Sequence, residues 1–385
     1  MNLSDYSFDA ERGFLPAADP IERLPPEFKA LDDLGRDLPK LLVSTQLRPR
    51  LEQMPALPIE RLSRPPELER VMLLLSYLGH AYIWGSTPVA THLPAGLAVP
   101  WCAVARRLGR PPVLSYASYA LHNWKRLDPS GPIDLGNIAL LQNFLGGIDE
   151  EWFILIHVAI EARAGAMLAA TIEAQRCVAQ NDVAGATRQL EAAAQGLHSI
   201  FRVLTRMPEH CDPYIYFHRV RPYIHGWKNN PALPDGLVYE GVEEFAGRGQ
   251  FFRGETGAQS SIIPCLDALF GIQHAADPLR AYLLEMQDYM PAPHRRLIAD
   301  LAAGPGLREF VLQQRRDEYA LVHAYNDCVN WVSHFRGKHL EYAGAYIHDQ
   351  SQHDLSNPTS VGTGGTPFMP YLKKHRDESR AHLIT

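Results

Sequence analysis

The chain has 385 residues, of which 46% are hydrophobic and 21% charged, so it can bury the core of one large domain or of two unequal ones. Its 37 basic and 43 acidic side chains give a formal net charge of −6. Because no polybasic run accompanies this balance, an electrostatic surface for nucleic acid or anionic membranes is excluded, and a soluble globular protein is predicted.

The sequence carries no pattern typical of export or membrane insertion. Its longest apolar stretch, 71–84, is interrupted by small and polar residues and is too short to cross a bilayer, so no membrane span is predicted. The first residues lack the basic start and apolar core of a secretory signal, which predicts a cytoplasmic protein. The cysteines are odd in number and widely spaced, as expected for reduced thiols in the core: Cys102, Cys177, Cys211, Cys265 and Cys328.

The first part of the chain is rich in proline, which predicts short helices joined by extended turns. Within it, Glu67 to Trp84 is predicted to be a helix because apolar residues recur every three or four positions. Pro65 and Pro66 precede this pattern and Gly85 follows it, as is typical at the two ends of a helix.

From residue 151 onward, long helical patterns dominate and almost nothing indicates a strand. Helices are predicted over 151–180, 182–206, 213–225, 259–272, 276–288, 293–303 and 307–347. The predicted fold is therefore all-α, with a small irregular domain over residues 1–145 and a large helical bundle over 146–385 that can enclose a cofactor. The segment 348–367 is rich in Ser, Gly, Asp and Gln, which predicts a mobile segment.

A candidate metal ligand lies on the last long predicted helix. His339 shares one helix face with apolar residues, which places its imidazole inside the fold; they are Tyr325, Cys328, Val329, Val332, Phe335, Ala343 and Tyr346. An interior imidazole can bind a metal, although a lone histidine on such a face is more often a hydrogen-bonded core residue. Since no Cys-x-x-Cys-His sequence is present, any haem would be held without covalent attachment.

A series of short motifs extends along nearly the whole chain. The densest block runs from Gly-Ala-Gln-Ser-Ser at 257–261 through Cys-Leu-Asp at 265–267 to Phe-Gly-Ile-Gln at 270–273. Further stretches are 93–94, 98–102, 111–114, 123–125, 226–228, 233–241, 289–291 and 308–311. In this order they resemble the indoleamine 2,3-dioxygenase family, the haem enzymes that oxidatively open the indole ring of tryptophan. The resemblance implies a small N-terminal domain over a larger all-helical domain that holds the haem.

The resemblance implies that His339 is the axial ligand of the haem iron, which leaves the opposite side of the iron open for dioxygen. Arg336 and Asp267 match a pair that links the helix of this ligand to the helix after the Gln-Ser-Ser motif. Arg336 lies one turn before His339, so its charge can help fix that helix and sense a haem propionate. A purely structural ion pair is an equally open interpretation.

Arg221 matches the arginine that binds the substrate carboxylate in the family. A planar guanidinium offers two parallel donors, and each charge-assisted bond contributes about 1.5–3 kcal/mol where water is excluded. By composition alone Arg219 and Arg202 are equally plausible surface charges. The choice among the three arginines depends on the Gly-Trp-Lys motif that follows at 226–228.

Five aromatic residues fall where the family lines its indole pocket: Tyr116, Tyr119, Phe153, Tyr216 and Phe217. Flat aromatic walls suit a flat substrate, although without the resemblance these residues would be ordinary core. Thr256 matches a small hydroxyl residue above the haem, which can hydrogen-bond the substrate. Gly365 and Thr366 end a Gly-Thr-Gly-Gly-Thr loop that in the family closes over the bound amino acid and excludes water. By itself such a loop is only a flexible linker.

His157 departs from the vertebrate members, which have a serine at the matching position. The sister family, tryptophan 2,3-dioxygenase, has a distal histidine that meets the indole nitrogen, so His157 is a candidate acceptor for the substrate N–H. Tyr216 replaces a usual phenylalanine and Tyr119 a usual small residue, which leaves the size of the pocket open.

The resemblance implies a cytoplasmic dioxygenase that uses haem b and O2 to cleave the C2–C3 bond of L-tryptophan, giving N-formylkynurenine. One alternative is a family member retuned to a substituted tryptophan or another indole. Another is a haem-binding carrier or sensor without oxygenase activity. The expected partner is a small-molecule substrate, with no nucleic acid and no membrane, and the expected state is a monomer or a weak oligomer.

Overall fold

The computed structural model describes residues 2–351 and 362–385, and it confirms the predicted all-α fold. Of the predicted mobile segment 348–367, residues 352–361 lie outside the described residues. The N-terminal part contains α1 (Lys29–Leu42), α2 (Leu47–Glu52), α3 (Pro65–Trp84) and α4 (Ala95–Leu108). Helix α3 is buried on nearly all sides, with α1 and α4 packed against it, which explains its run of apolar residues.

The remaining helices form a bundle whose centre is built by two long neighbours and the helix that carries His339. They are α5 (Ile148–Ala179), α6 (Val183–Leu204), α7 (Pro213–Ile215), α8 (Ile262–Phe270), α9 (Pro278–Gln287), α10 (Ala292–Ala303), α11 (Leu307–Gln314), α12 (Tyr319–Ala343), α13 (Asp349–Ser351) and α14 (Phe368–Arg380). Helix α6 packs against both α5 and α12, and α14 covers α12 from another side. One continuous hydrophobic core joins this bundle to the N-terminal helices.

Helix α5 is the one helix in the described ranges that is long and apolar enough to span a membrane by length and composition. Within the fold, 67% of its most apolar window is buried. Its start is fixed by Glu150, whose carboxylate accepts hydrogen bonds from the backbone N–H groups of Phe144, Leu145 and Gly146 at 2.6, 3.1 and 2.9 Å. Packing in the bundle therefore accounts for the apolar character of this helix.

The strands in the described chain are four two-residue pieces, in agreement with the near absence of strand patterns. β1 (His92–Leu93) pairs in parallel with β4 (Val238–Tyr239), and His92 lies opposite Val238. β2 (Lys125–Arg126) pairs antiparallel with β3 (Ile138–Ala139). These pairs connect loops and do not build a separate layer.

Two stretches that were each predicted to be one continuous helix are divided into separate segments in the structure, so the prediction of a continuous helix is wrong for both. The stretch 307–347 contains α11 and α12, separated at 315–318, where four consecutive charged residues turn the chain. The stretch 213–225 changes from α7 to a π-helical segment and then to a 3₁₀ turn at Arg221–Tyr223. Pro222 has no backbone N–H, which prevents a regular α-helix from continuing there.

Helices α4 and α14 were not predicted from the sequence. Pro100 lies inside α4 and the pattern of α14 is weak, since only one of its residues is buried. The division into domains at residue 145 stays a prediction, and it would place the boundary just before α5.

Candidate active site

Three π-helical segments lie near a group of partly accessible side chains in the bundle, Phe153, His157 and His339, and we call the space beside these side chains the hollow. They are Ala117–Leu121, Tyr216–Val220 and Gly344–His348. Tyr119, Tyr216 and Tyr346 come from one segment each, and their rings are joined through direct contacts or through Phe153. A π-helical turn inserts an extra residue into the helix and redirects side chains, and such turns are frequent at functional sites.

Phe153 lies at the centre of the aromatic wall. Its ring centroid is 4.7 Å from that of Tyr216 and 6.3 Å from that of Tyr119. His157, one turn later on α5, lies 4.8 Å from Phe153 and 6.0 Å from Tyr116 between ring centroids. The structure thus brings four of the five predicted pocket residues together with His157.

The hydrogen bonding of His157 determines which of its ring nitrogens carries the proton. Its Nδ1 lies 2.7 Å from the backbone oxygen of Phe153, and a carbonyl oxygen can only accept, so Nδ1 donates. Burial lowers the pKa of His157 below its usual value, so the ring is neutral at pH 7. In a neutral ring with Nδ1–H, the Nε2 atom carries a lone pair and acts as an acceptor. The half-buried ring therefore presents an acceptor to the hollow.

His339 differs from its prediction in one respect. Its neighbours on the stripe are mostly buried, but His339 itself is exposed. The surrounding protein still lowers the pKa of His339 to about 4 through burial, and His157 lowers it further. The two imidazoles therefore lie close to each other inside the fold, and His339 is neutral and able to coordinate a metal at pH 7.

Helix α12 is fixed next to His339 by a buried ion pair. Arg336 donates through Nη2 to both carboxylate oxygens of Asp267, at 2.8 and 2.7 Å, and through Nη1 to the Ser379 hydroxyl on α14. His274 Nε2 lies 3.0 Å from the same carboxylate. Although burial opposes ionisation, Arg336 and His274 hold the pKa of Asp267 below its ordinary value. The pair thus ties α12 to α8 and α14.

Arg221 lies in the 3₁₀ turn that follows the second π segment, and it is fully enclosed. The guanidinium of Arg221 lies over the ring of Phe217, 5.4 Å from the ring centroid. Phe217 is itself fully buried, so this face of the guanidinium packs against an aromatic ring. Burial lowers the pKa of Arg221 to about 10, which leaves it cationic at pH 7. It also acts electrostatically on Tyr216, which places the cation beside the aromatic wall.

The end of the glycine-rich loop is docked on the protein. Gly365 has φ +74, and a side chain there would meet the backbone oxygen of Lys228 at 2.5 Å, so this close approach requires glycine. Burial raises the pKa of Tyr282, and the hydroxyls of Thr256 and Thr366 oppose this rise, so both threonines lie next to that phenol. Thr256 and the end of the glycine-rich loop therefore both lie next to Tyr282 on α9.

Several polar residues of this region were missed by the sequence reasoning. Arg253 is buried and donates to the Gly364 backbone oxygen and, at 2.7 Å, to Glu285. Glu161 is buried one turn after His157 and accepts bonds from Tyr116 and Ser260 at 2.9 and 2.7 Å.

Glu255, directly before Thr256, was missed as well and is buried. The available signal for Glu161 and Glu255 was a carboxylate inside an otherwise apolar or small-residue stretch.

The donor set around His339 fits a prosthetic group better than a bare ion. Within residues 2–351 and 362–385 no group of three His, Cys, Asp or Glu side chains could hold a metal ion. An iron bound to the single neutral imidazole of His339 would need its other ligands from elsewhere, as a porphyrin provides. The residues present therefore fit haem.

Fold and site together define an all-helical protein in which the imidazoles of His157 and His339 lie near each other beside an aromatic wall. A family model for indoleamine 2,3-dioxygenase matches residues 2–382, and the chain belongs to this family. The enzymes of this family are haem dioxygenases that use haem iron and O2 and bind a small-molecule indole substrate.

Relatives from animals and yeast align with the full length of the chain. Indoleamine 2,3-dioxygenase 1 of Rattus norvegicus is 36% identical over 398 residues, which cover 100% of this chain and 96% of the relative. Indoleamine 2,3-dioxygenase 2 of Homo sapiens is 31% identical, with coverage of 100% and 96%. The enzyme of Saccharomyces cerevisiae is 31% identical, with coverage of 98% and 93%.

Proposed function

We propose that this protein is a haem-dependent dioxygenase that cleaves the C2–C3 bond of L-tryptophan with O2 and releases N-formylkynurenine. The observation that carries the proposal is the pair of neutral imidazoles, His157 and His339, on a hollow whose aromatic wall lies next to Arg221. Such a hollow suits a flat ring with a carboxylate at one end. Family membership supports the same activity.

His339 would hold the haem iron through its neutral imidazole, and Arg336 and Asp267 would keep that helix in place. Bound haem supplies the activation of dioxygen, which no side chain of the protein can provide. The buried ion pair at Arg336 fixes α12 to two neighbouring helices, so the imidazole is held in a defined direction.

The protein side chains orient the substrate. Arg221 binds the α-carboxylate through parallel N–H donors, and Tyr116, Tyr119, Phe153 and Tyr216 enclose the indole. Nε2 of His157 accepts a hydrogen bond from the indole N–H. Together these contacts fix both ends of the substrate, which turns the encounter of the reacting groups into a step within one complex.

Water is excluded by the glycine-rich loop. Gly365 and Thr366 lie against the 226–229 segment and Tyr282, and Thr256 contributes a hydroxyl at the same point. A loop docked in this way covers the entrance after the amino acid has bound, which protects the oxidative step from solvent.

Two alternatives are less well supported. A haem carrier or sensor does not need a buried arginine beside an aromatic wall, and the family consists of dioxygenases. A preference for a substituted tryptophan or another indole would require contacts that bind the altered ring better than the ring of tryptophan. We also propose that the enzyme acts in the cytoplasm as a monomer or weak oligomer, without nucleic acid or membrane as a partner.

The test is to purify the haem-loaded protein, reduce it, add L-tryptophan in air and follow N-formylkynurenine by chromatography and mass. His339→Ala should lose haem retention, while Arg221→Ala should keep the haem and lose turnover at low substrate concentration. Comparing tryptophan with ring-substituted analogues addresses the substrate. Full haem occupancy of His339→Ala, or absence of product from the wild-type enzyme, would rule out the proposal.

A further inference from the structure

Glu255 occupies a position between the two backbone segments that border the site. Its N–H donates to the backbone oxygen of Ile224 at 3.1 Å, just after the turn that carries Arg221. Its own carbonyl oxygen accepts from the hydroxyl of Thr363, in the glycine-rich loop, at 2.6 Å. The backbone of Glu255 is therefore held between the arginine turn and the loop.

The carboxyl group of Glu255 is buried and has no hydrogen-bond partner among the described residues. The residue is only 4% exposed. Burial raises the pKa values of Tyr119 and Tyr216, and Glu255 contributes to the rise in both, so its carboxyl group lies near these two phenols of the aromatic wall. The oxygens of Glu255 are not enclosed by protein atoms, so a donor for them can come only from solvent or from a ligand.

Glu161 provides the contrast within the same chain. It is also buried, but it accepts hydrogen bonds from the hydroxyls of Tyr116 and Ser260. The fold thus supplies donors to Oε1 of Glu161 and leaves its enclosed Oε2 without a partner, whereas the carboxyl group of Glu255 receives no hydrogen bond from the described residues. A ligand with donor groups would satisfy Glu255 in the same way.

We propose that Glu255 binds the α-ammonium group of the amino-acid substrate while Arg221 binds its α-carboxylate. This inference rests on the proposed function, since it assumes an amino acid in the hollow. Tyr216 interacts electrostatically with both Arg221 and Glu255, so the guanidinium and the carboxyl group both lie near its phenol. A zwitterion carries its two charges on one carbon, and this arrangement places an opposite charge near each of them.

The protonation of Glu255 changes when the ammonium group binds. Burial raises the pKa of Glu255 to about 8, so the empty site holds a neutral carboxyl group at pH 7. The titratable groups that face it are phenols, which are neutral at this pH: Tyr77, Tyr116, Tyr119 and Tyr216. An ammonium group stabilises the carboxylate, so the O–H proton leaves to solvent as the N–H···O contact forms. Binding of tryptophan should release close to one proton.

The experiment compares three ligands with the ferric, haem-loaded enzyme. L-tryptophan has both charged groups, indole-3-propionate lacks the ammonium and tryptamine lacks the carboxylate. Glu255→Gln should weaken tryptophan and tryptamine about 10- to 100-fold and leave indole-3-propionate unchanged. Calorimetry at pH 7 in buffers of different ionisation enthalpy should detect proton release with the wild type and none with Glu255→Gln. Glu150→Gln changes a buried carboxyl group with backbone partners and should keep the release.

Equal losses for tryptophan and indole-3-propionate, or unchanged proton release in Glu255→Gln, would overturn the ammonium site. A loss seen only with ring-hydroxylated tryptophans, and not with their ring-methylated counterparts, would assign Glu255 to the indole ring and overturn it too. Thermal unfolding of Glu255→Gln and Glu255→Ala controls for folding, and an unchanged or raised midpoint is expected. If ammonium-dependent binding is found without N-formylkynurenine, the site stands and the proposed reaction fails.

Discussion

Removing the imidazole of His157 should weaken the binding of any indole that carries a ring N–H. The Nδ1–H of His157 is committed to the Phe153 backbone oxygen at 2.7 Å, so Nε2 is the only acceptor that this ring can offer. A net hydrogen bond contributes about 0.5–1.5 kcal/mol, and a buried donor left without a partner costs about 1–3 kcal/mol. Because the ring is only half-buried, we expect His157→Ala to cost about 1–2 kcal/mol, or roughly 5- to 30-fold in affinity.

The assay is equilibrium binding of L-tryptophan and 1-methyl-L-tryptophan to the ferric haem-loaded enzyme, followed by the haem absorbance. The methylated ligand has no ring N–H, so only the ligand with the N–H should lose affinity through the missing acceptor. His157→Ala also removes ring contacts with Phe153 and Tyr116, and that packing loss affects both ligands alike. The difference between the two losses isolates the hydrogen bond. His157→Gln, which can supply an amide oxygen as acceptor, should recover part of it.

The same hydrogen bond has a defined pH dependence. Burial lowers the pKa of His157, so the ring stays neutral at pH 6.5 and loses its acceptor only as the pH falls further. The ratio of tryptophan affinity between the wild type and His157→Gln should therefore be flat from pH 8 to 6.5 and fall in more acidic solution, because the Glu255 proton affects both proteins alike. If His157→Ala weakened tryptophan and 1-methyltryptophan equally, with the haem spectrum intact, the assigned hydrogen bond would be refuted.

Three further changes test other contacts of the site. Arg221→Lys keeps the charge but loses the parallel donors, so KM for tryptophan should rise about 10-fold. KM for tryptamine, which has no carboxylate, should not change. An equal rise of KM for both compounds would contradict the assignment of Arg221. Asp267→Asn leaves the buried Arg336 without its anion and should lower the free energy of unfolding by about 3–5 kcal/mol in denaturant titration, whereas an unchanged midpoint would show that the pair is dispensable. Burial raises the pKa of Glu161 from 4.5 to about 7, so the folded state holds a proton that the unfolded state has lost, and Glu161 should contribute a fall in stability of about 3 kcal/mol as the pH rises from 4.5 to 7. Glu150 and Glu255 add to the fall, so Glu161→Gln should reduce it by about 3 kcal/mol without removing it, and an unaltered pH profile would exclude the Glu161 contribution.

The helical periodicity of the chain was sufficient to predict the bundle, because most core helices have one continuous apolar face. It also identified the face of α12 on which His339 lies, since Cys328, Val329 and Val332 are fully buried. It could not predict that the imidazole itself would be exposed to an internal hollow. A periodic pattern reports which side of a helix points inward, and it does not report whether another side chain fills the space it points into.

The predicted helices are broken by one or a few residues, and a hydrophobic periodicity taken over many residues does not detect such local effects. Pro222 lies in the 3₁₀ turn and prevents an α-helix from continuing past Arg221, yet the apolar residues around it continue at nearly helical spacing. The π-helical segments are a similar case, because one inserted residue shifts the face of a helix without changing its composition. Such a shift brings Tyr216 to the hollow, so its position could be predicted only from the resemblance to a family.

The two buried glutamates, Glu161 and Glu255, show why the structure was needed to distinguish a structural carboxyl group from a candidate binding group. In the sequence, Glu161 and Glu255 look alike, since each is an acidic residue in a buried stretch. In the fold, Glu161 accepts two hydroxyl hydrogen bonds, and Glu255 has none among the described residues. Burial raises both pKa values, but the unpartnered oxygen of Glu161, Oε2, is enclosed by protein, while Glu255 keeps both carboxyl oxygens for a ligand. A buried acid is therefore better evidence for a binding site when its partners are missing than when its pKa is shifted.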